Sequence, residues 1–281
     1  MNSLHVATSV ADAIAALADR GDGGAPLAGA TWIMRAPIRK EQHPRSYVAL
    51  AKIDELQRVE LLHDYLSIGA CVTHARLAAA LAPLPEFRAL AVAAGSSANP
   101  AIRQMATIGG NLCAAGFAAA DLVPALICLD AQIELAMPGE STRVSVEAFL
   151  TMRTDLPHGC LVRRVMVPRT TYRSDHVRLT LRKGGDYPVV IVSLAAELGS
   201  TGVVKSARVA IGSVETTARR WEKFERLLIG HPLDPADVTE KATLCADELH
   251  GREGVEAPGW YRIKVLPSLV GRAVRNIRGQ C

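Results

Sequence analysis

Ser9 precedes apolar residues at Val10, Ile14 and Leu17, and Gly21 follows the last of them. That spacing predicts a helix capped by the Ser9 hydroxyl and stopped at a glycine. A short strand then leads into "PLAGAT". Between Arg58 and Val72 two apolar runs flank Asp64, which predicts paired strands around a turn, and Thr73 is placed to cap a helix carrying Arg76, Leu77 and Leu81. A helix-rich stretch follows from Pro85 to about Gln104. The run "MATIGGNLCAAGFAAADLVPALICLDAQIEL" reads as a turn, a small-residue loop, a helix from Asp121 and a strand from Gln132.

Near Pro168 the pattern changes. The alternation in "CLVRRVMV" gives way to the apolar runs "PVVIVSLAAEL" and "SARVAIG", then to helical stretches from about Glu215, Pro235 and Pro258. A second sheet backed by helices is expected there, with a boundary between about 165 and 175. No repeat or low-complexity segment interrupts the chain. The mixture of strands, helices and irregular loops predicts an α+β fold.

Composition narrows the function classes. With 281 residues, 49% of them hydrophobic, the chain can bury more than one core. A net charge of +4 with dispersed basic residues does not suit a nucleic-acid binder. Six cysteines at 71, 113, 128, 160, 245 and 281 form no CxxC pair and read as packing thiols of a reducing compartment, the cytoplasm. Asp12 and Asp19 break any N-terminal signal pattern, and no apolar run is long enough to span a membrane. His43, His63 and His74 lie in separate segments and read as surface or capping residues rather than metal ligands. Arg262, Lys264, Arg272, Arg275 and Arg278 read as a solvated helix face, or as a docking surface for a partner.

Two segments carry candidate chemistry: "LAGAT" at Leu27, Ala28, Gly29, Ala30 and Thr31, and "TIGGN" at Thr107, Ile108, Gly109, Gly110 and Asn111. Each sets small residues and a hydroxyl beside glycine after an apolar stretch, so backbone N–H groups can approach an anion unobstructed. Two such loops suit a diphosphate; each alone also reads as a strand-ending turn. Neither is the GxGxxG of a Rossmann fold or the GxxxxGK[ST] of a P-loop.

The run "ATIGGNLCAAGFAAADLVPALICLDAQIEL" closely resembles the second FAD-binding segment of the molybdopterin dehydrogenase FAD-binding family, the medium subunits of carbon monoxide dehydrogenase and xanthine dehydrogenase types. "LAGAT" resembles that family's first FAD loop, and the similarity continues through "LSIGACVTHARL", "LRKGGDYPVVIVSLAAEL" and "ARVAIGSVETTARR". The resemblance implies a PCMH-type FAD-binding domain of two α/β subdomains over residues 1–168, divided near residue 56. A smaller α+β domain of the CO dehydrogenase flavoprotein type would follow over 169–281. It implies that residues 28–31, with Thr107, Gly109, Gly110 and Asn111, line the FAD diphosphate through backbone amides and short side chains. Leu27, Ile108 and Val162 are assigned to the same site. Asp121 matches the family's acidic residue, with a plain helix cap as the alternative. Arg182, Lys183, Asp186 and Tyr187 match a loop approaching the flavin, with a charged hairpin turn as the alternative.

Two departures stand out. Ala30 replaces a customary glycine, so that with an ordinary φ binding survives at altered affinity, and Trp32 replaces a customary polar residue; both bear on the tightness of FAD binding rather than its existence. The resemblance further implies partners: a large molybdopterin subunit and a small subunit carrying 2Fe–2S clusters, assembled as a dimer of heterotrimers. FAD would relay electrons from the clusters to an external acceptor, NAD or a quinone-like carrier. A stand-alone flavin oxidase and a scaffold subunit that has lost FAD are the competing readings.

Overall fold

The computed structural model describes residues 3–42, 44, 46–182 and 187–279. Two compact units are assembled from interleaved stretches of chain. The first comprises Met1–Leu77, Pro100–Ala115 and Ala131–Pro168; the second comprises Ala78–Asn99, Gly116–Asp130 and Arg169–Cys281.

In chain order, the elements up to the first boundary are β1 (Ser3–Val6), α1 (Val10–Arg20), β2 (Gly24–Leu27), β3 (Ser46–Ala49), β4 (Val59–Leu61), β5 (Tyr65–Gly69) and α2 (His74–Leu81). Then come α3 (Arg88–Ser96), α4 (Pro100–Met105), α5 (Ile108–Cys113), α6 (Leu122–Cys128), β6 (Gln132–Met137), β7 (Glu140–Ser145), α7 (Val146–Met152) and β8 (Leu161–Pro168). The remainder is β9 (Arg173–Leu179), β10 (Val190–Leu198), β11 (Val204–Gly212), β12 (Arg219–Arg220), α8 (Glu222–Leu228), α9 (Pro235–Cys245) and α10 (Gly259–Arg278).

In the first unit β1, β3 and β2 form a parallel sheet in that order. Parallel strands need crossovers, and α1 supplies the one between β1 and β2. As expected, the Ser9 hydroxyl accepts the N–H of Asp12, and Gly21 ends the helix with φ +48. Val10, Ala13, Ile14 and Leu17 of α1 pack on Val48, Leu50 and Ile53. The other sheet runs β4-β5-β8-β6-β7, antiparallel throughout. Its β4–β5 hairpin is the one expected around Asp64. Glu134 is buried on β6 and is satisfied by Arg163 at 3.3 Å and Arg164 at 3.2 Å.

The second unit is built on the antiparallel sheet β12-β11-β10-β9. Helices α3 and α6 pack against it, as do α8 and α10. The core joins Val190, Val192 and Leu194 of β10 to Trp221, Phe224, Leu266, Val270 and Val274. Burying each such side chain contributes roughly 1.5–3 kcal/mol.

Two expectations are corrected here. The helix placed from about Glu215 begins at Glu222, because Arg219 and Arg220 pair with Ile211 and Ala210 as the edge strand β12. Arg262, expected on a solvated helix face, is completely buried. Its Nη1 donates to the carbonyls of Val189 (2.7 Å) and Ser213 (3.0 Å), Nε donates to the Arg252 carbonyl (3.0 Å), and Nη2 pairs with Glu256 at 3.2 Å. The guanidinium thus ties α10 to the start of β10, the end of β11 and the loop before α10. The other basic residues of α10 divide: Lys264 lies over Trp260, Arg272 donates to the Arg178 carbonyl at 2.8 Å, and Arg278 pairs with Asp234 at 3.4 Å.

Removing this guanidinium strands several buried acceptors at once. Arg262→Met is expected to lower stability by about 3–5 kcal/mol. Arg262→Lys, which keeps the charge but not the fork of donors, is expected to fall between. Denaturant unfolding of the three proteins checks the ranking.

Candidate FAD-binding loops and the residues around them

Strand β2 ends at Leu27, whose carbonyl accepts the Leu50 N–H at 3.0 Å. Beyond it Gly29 lies directly against the main chain at Met105. A Cβ on Gly29 would stand 1.9 Å from the Met105 oxygen, a distance no side chain tolerates. This close approach brings the first loop beside the segment that leads into "TIGGN".

Ala30 does not keep an ordinary φ; its value is +61°. An alanine there costs roughly 1–2 kcal/mol of backbone strain. The reversal is held because the Ala30 carbonyl accepts the Met34 N–H at 3.1 Å, opening the 3-10 turn Ile33–Arg39. Next to it, the Arg39 guanidinium covers the Trp32 ring at 3.8 Å and donates to the Trp32 carbonyl at 3.0 Å. Among the described residues, no acceptor takes the backbone N–H groups of Ala28, Gly29, Ala30 or Thr31. Four consecutive donors on a turn that includes a left-handed residue suit an anion.

The second loop differs from expectation. "TIGGN" is not a turn but the start of α5, because the Thr107 hydroxyl caps it by accepting the Gly110 N–H at 3.1 Å. The N–H of Ile108 goes to the Val72 carbonyl at 3.0 Å, that of Gly109 to Ala70 at 2.9 Å, and that of Asn111 to Thr107 at 2.9 Å. Those three amides donate within the chain, which leaves the short side chains of the expected set, Thr107 and Asn111, beside the loop. Gly109 serves packing, since a Cβ there would lie 2.8 Å from the Ala70 oxygen. Arg153 fixes the far end of α5 by donating to the Leu112 carbonyl at 2.6 Å. Val162 is buried in β8 opposite Leu135, a core position.

In the second unit Asp121 is buried and stands at the first position before α6, yet it makes no capping hydrogen bond. The plain-cap reading is therefore set aside; one carboxylate oxygen is instead held by Arg178 Nε at 2.9 Å. Arg182 is exposed, and Lys183 and Asp186 lie outside the described residues. The Tyr187 ring meets Phe117 edge-on, with centroids 5.1 Å apart.

Sequence reasoning passed over Phe117 and Arg178. Phe117 is an isolated aromatic in a run of small residues, which was a usable signal. Arg178 belongs to the strand "RSDHVRL", whose Ser174, Asp175 and His176 are all buried. Three polar residues in succession hid the strand and its partners.

The histidines divide. His63 is exposed and pairs with Asp64 at 2.5 Å. His74 is buried at the start of α2, contrary to a surface role, and its N–H donates to the Ala106 carbonyl at 2.9 Å. His43 lies outside the described residues. The described cysteines are unpaired with one another, and burial pushes the Cys71 thiol up to about 12. Among the described residues no cluster of metal-ligating side chains forms, and no helix is long and apolar enough to cross a membrane.

The sequence profile described as the FAD-binding domain in molybdopterin dehydrogenase matches residues 1–170. The chain belongs to that family. A second profile, the CO dehydrogenase flavoprotein C-terminal domain, matches residues 175–277. The carbon monoxide dehydrogenase medium chain of Afipia carboxidovorans is 28% identical, with 98% of this chain and 96% of that one aligned. The xanthine dehydrogenase FAD-binding subunit of Escherichia coli O157:H7 is 26% identical over 97% of this chain and 94% of that one. A solved structure, reconstituted CO dehydrogenase from Oligotropha carboxidovorans, superposes with a TM-score of 0.90 at 26% identity. It covers 100% of this chain and 99% of that one. The family membership makes this an FAD-binding α+β flavoprotein of the CO and xanthine dehydrogenase type, an oxidoreductase component.

The first loop sets up opposite outcomes at adjacent positions. Gly29→Ala is expected to displace the loop from Met105 and to weaken FAD uptake. Ala30→Gly relieves the left-handed strain, and after the entropic cost of a glycine is expected to change stability by no more than about 1 kcal/mol, in the stabilising direction. Denaturant midpoints and FAD titration of the two variants check both.

Proposed function

We propose that the chain is the medium, electron-relaying subunit of a molybdenum-hydroxylase-type complex. In this reading the loop at residues 28–31 holds the FAD diphosphate. The observation that carries it is the set of four unspent backbone N–H groups on a turn kept clear of side chains by Gly29. Backbone donors fixed in advance favour an anion without reorganisation. In the same reading the second loop, Thr107 to Asn111, lines the cofactor with its glycines and the short side chains of Thr107 and Asn111.

FAD supplies the ability to take and release electrons singly or in pairs. The protein supplies position, charge and access. Arg182 stands at the edge of the loop matched to the flavin, where a cation favours a reduced, anionic ring. Tyr187, braced by Phe117, presents an aromatic face. No general acid or base of this chain is required for electron relay.

Electrons would arrive from 2Fe–2S clusters in a small partner subunit and originate at a molybdopterin centre in a large one. They would leave to an external acceptor. Relatives named as a medium chain and as an FAD-binding subunit support such partners, with a dimer of heterotrimers as the proposed assembly. A cytoplasmic setting belongs to the same reading, and unpaired, buried thiols such as Cys71 and Cys128 suit it.

The full chain, purified, is expected to show a flavin visible spectrum and to release FAD on heating at about one per chain. A colourless protein that fails to take up added FAD would overturn the reading in favour of a scaffold subunit. With FAD bound, organic substrates are expected to leave the isolated chain oxidised. Reduction without partner subunits would make it a free-standing oxidase.

A further inference from the structure

The second unit holds a cavity of about 670 Å³, lined by the last turn of α2, the 3-10 turn Pro85–Phe87, the first turns of α3 and the segment between β8 and β9. A space of that order suits a small molecule. Leu81, Leu84 and Val92 give it apolar walls, and Arg88, Thr171 and Arg173 give it polar ones.

Arg88 differs from an ordinary surface arginine in how it is anchored. Asp175, on β9, is only 1% exposed, and its two oxygens are divided. Oδ2 accepts Nδ2 of Asn276 at 2.6 Å, and Oδ1 accepts Nε of Arg88 at 3.2 Å. Because Asn276 occupies the second oxygen, the carboxylate takes the guanidinium through a single nitrogen. Nη1 and Nη2 of Arg88 donate to none of the described residues, and the side chain remains 44% exposed. A long side chain that would otherwise turn freely is thus held at its neck by an acid almost sealed from water. Its two outer nitrogens form a fixed fork, whose geometry matches a carboxylate bidentately.

The charges in and directly behind the walls favour a single negative charge. Arg88, Arg169 and Arg173 stand against Asp175 and Glu86, and Glu86 is already paired with Arg169 at 3.2 Å. Arg88 is also the first residue of α3, whose first turn carries no acidic side chain, so the positive end of that helix adds to the same field. Apolar walls disfavour a multiply charged nucleotide, and one spare fork answers one carboxylate.

We propose that this cavity is a binding site for an organic monocarboxylate, with the carboxylate on the Arg88 fork and an aromatic or aliphatic body against Leu81, Leu84 and Val92. Asp175 and Asn276 are positioning residues that hold the guanidinium. The site does not rest on the FAD reading, since none of its residues belongs to the loops assigned to that cofactor.

The experiment is calorimetric titration of the full-length chain with 2-naphthoate and octanoate. Acetate, which lacks the body, and 2-naphthalenemethanol, which lacks the charge, serve as controls. At least one of the two acids is expected to bind at one per chain, and both controls at least about tenfold more weakly, the size of a lost charged hydrogen bond or of the lost apolar contact. Arg88→Lys leaves a cation on Asp175 but no fork, and Ala91→Trp fills the cavity while leaving the guanidinium in place. Each is expected to weaken binding of the acid by about tenfold or more. Melting temperatures measured alongside separate a lost site from a lost fold.

Three results overturn the proposal. Neither acid binds the wild type; or the alcohol binds as tightly as its acid, so that the fork contributes nothing; or binding of the acid survives unchanged in either folded variant, which places the probe at another apolar surface.

Discussion

The second unit depends on one fully buried guanidinium. A charge taken out of water is tolerated only when every donor is spent and the geometry is good. Arg262 meets that condition mainly with backbone carbonyls, at Val189, Ser213 and Arg252, and with Glu256 as its counter-ion. Because the carbonyls belong to the ends of strands and to a loop, satisfying the arginine also fixes those ends. Arg252 joins the same knot by donating to the Ser213 carbonyl and hydroxyl, and the Ser213 hydroxyl donates to the Pro188 carbonyl at 2.5 Å. Ser213 itself is left-handed, with φ +62°, a conformation its crowded partners hold in place. The chain segment at Tyr187, Pro188 and Val189 is thereby anchored at three consecutive residues, through the Phe117 ring and the two carbonyls.

The first unit reaches the same end by the opposite means. Its rigidity at the loop after β2 comes from the absence of a side chain at Gly29 and from backbone packed on backbone. Ala30 shows what such a loop demands: the left-handed turn persists even with a methyl group present, because the 3-10 turn that follows fixes the direction of the chain. The Arg39 guanidinium stacked on Trp32 closes that turn with a cation and an aromatic ring, so the unusual tryptophan is accommodated rather than left facing a ligand.

Local features of the fold were legible in the sequence. The Ser9 cap, the Asp64 hairpin, the helix beginning at Pro235 and the apolar strand β10 each follow from residues within one or two turns of each other. What escaped depended on partners distant along the chain. Arg262 looks like any basic residue on a helix until Val189, more than seventy positions away, offers its carbonyl. "TIGGN" looks like a loop because two glycines disfavour helix; it becomes α5 because Thr107 caps it and because Ala70 and Val72 take amides that lie outside the helix pattern. The candidate loop at residues 28–31 was singled out by composition and resemblance, yet that its amides stay unspent while those of Ile108, Gly109 and Asn111 are taken depends on hydrogen bonds that the sequence does not display. Asp121 was found the same way, and Arg178 was hidden in a strand of polar residues.

The interleaving of the two units bears on how the chain acquires its structure. The polypeptide passes from one unit to the other after residues 77, 99, 115, 130 and 168. Helices α3 and α6 leave the ribosome before any strand of the sheet on which they pack, so their apolar faces, including Leu90 and Leu126, wait for β9, β10 and β11. Ordering of long-range sheets is slow, and waiting surfaces of this kind invite association with other chains or chaperones. Gene fusion, truncation or domain exchange at the seam between residues 170 and 175 would leave the amino-terminal part carrying two helices without their sheet. The segments that recur as families and the compact units of the structure are, in this protein, cut along different lines.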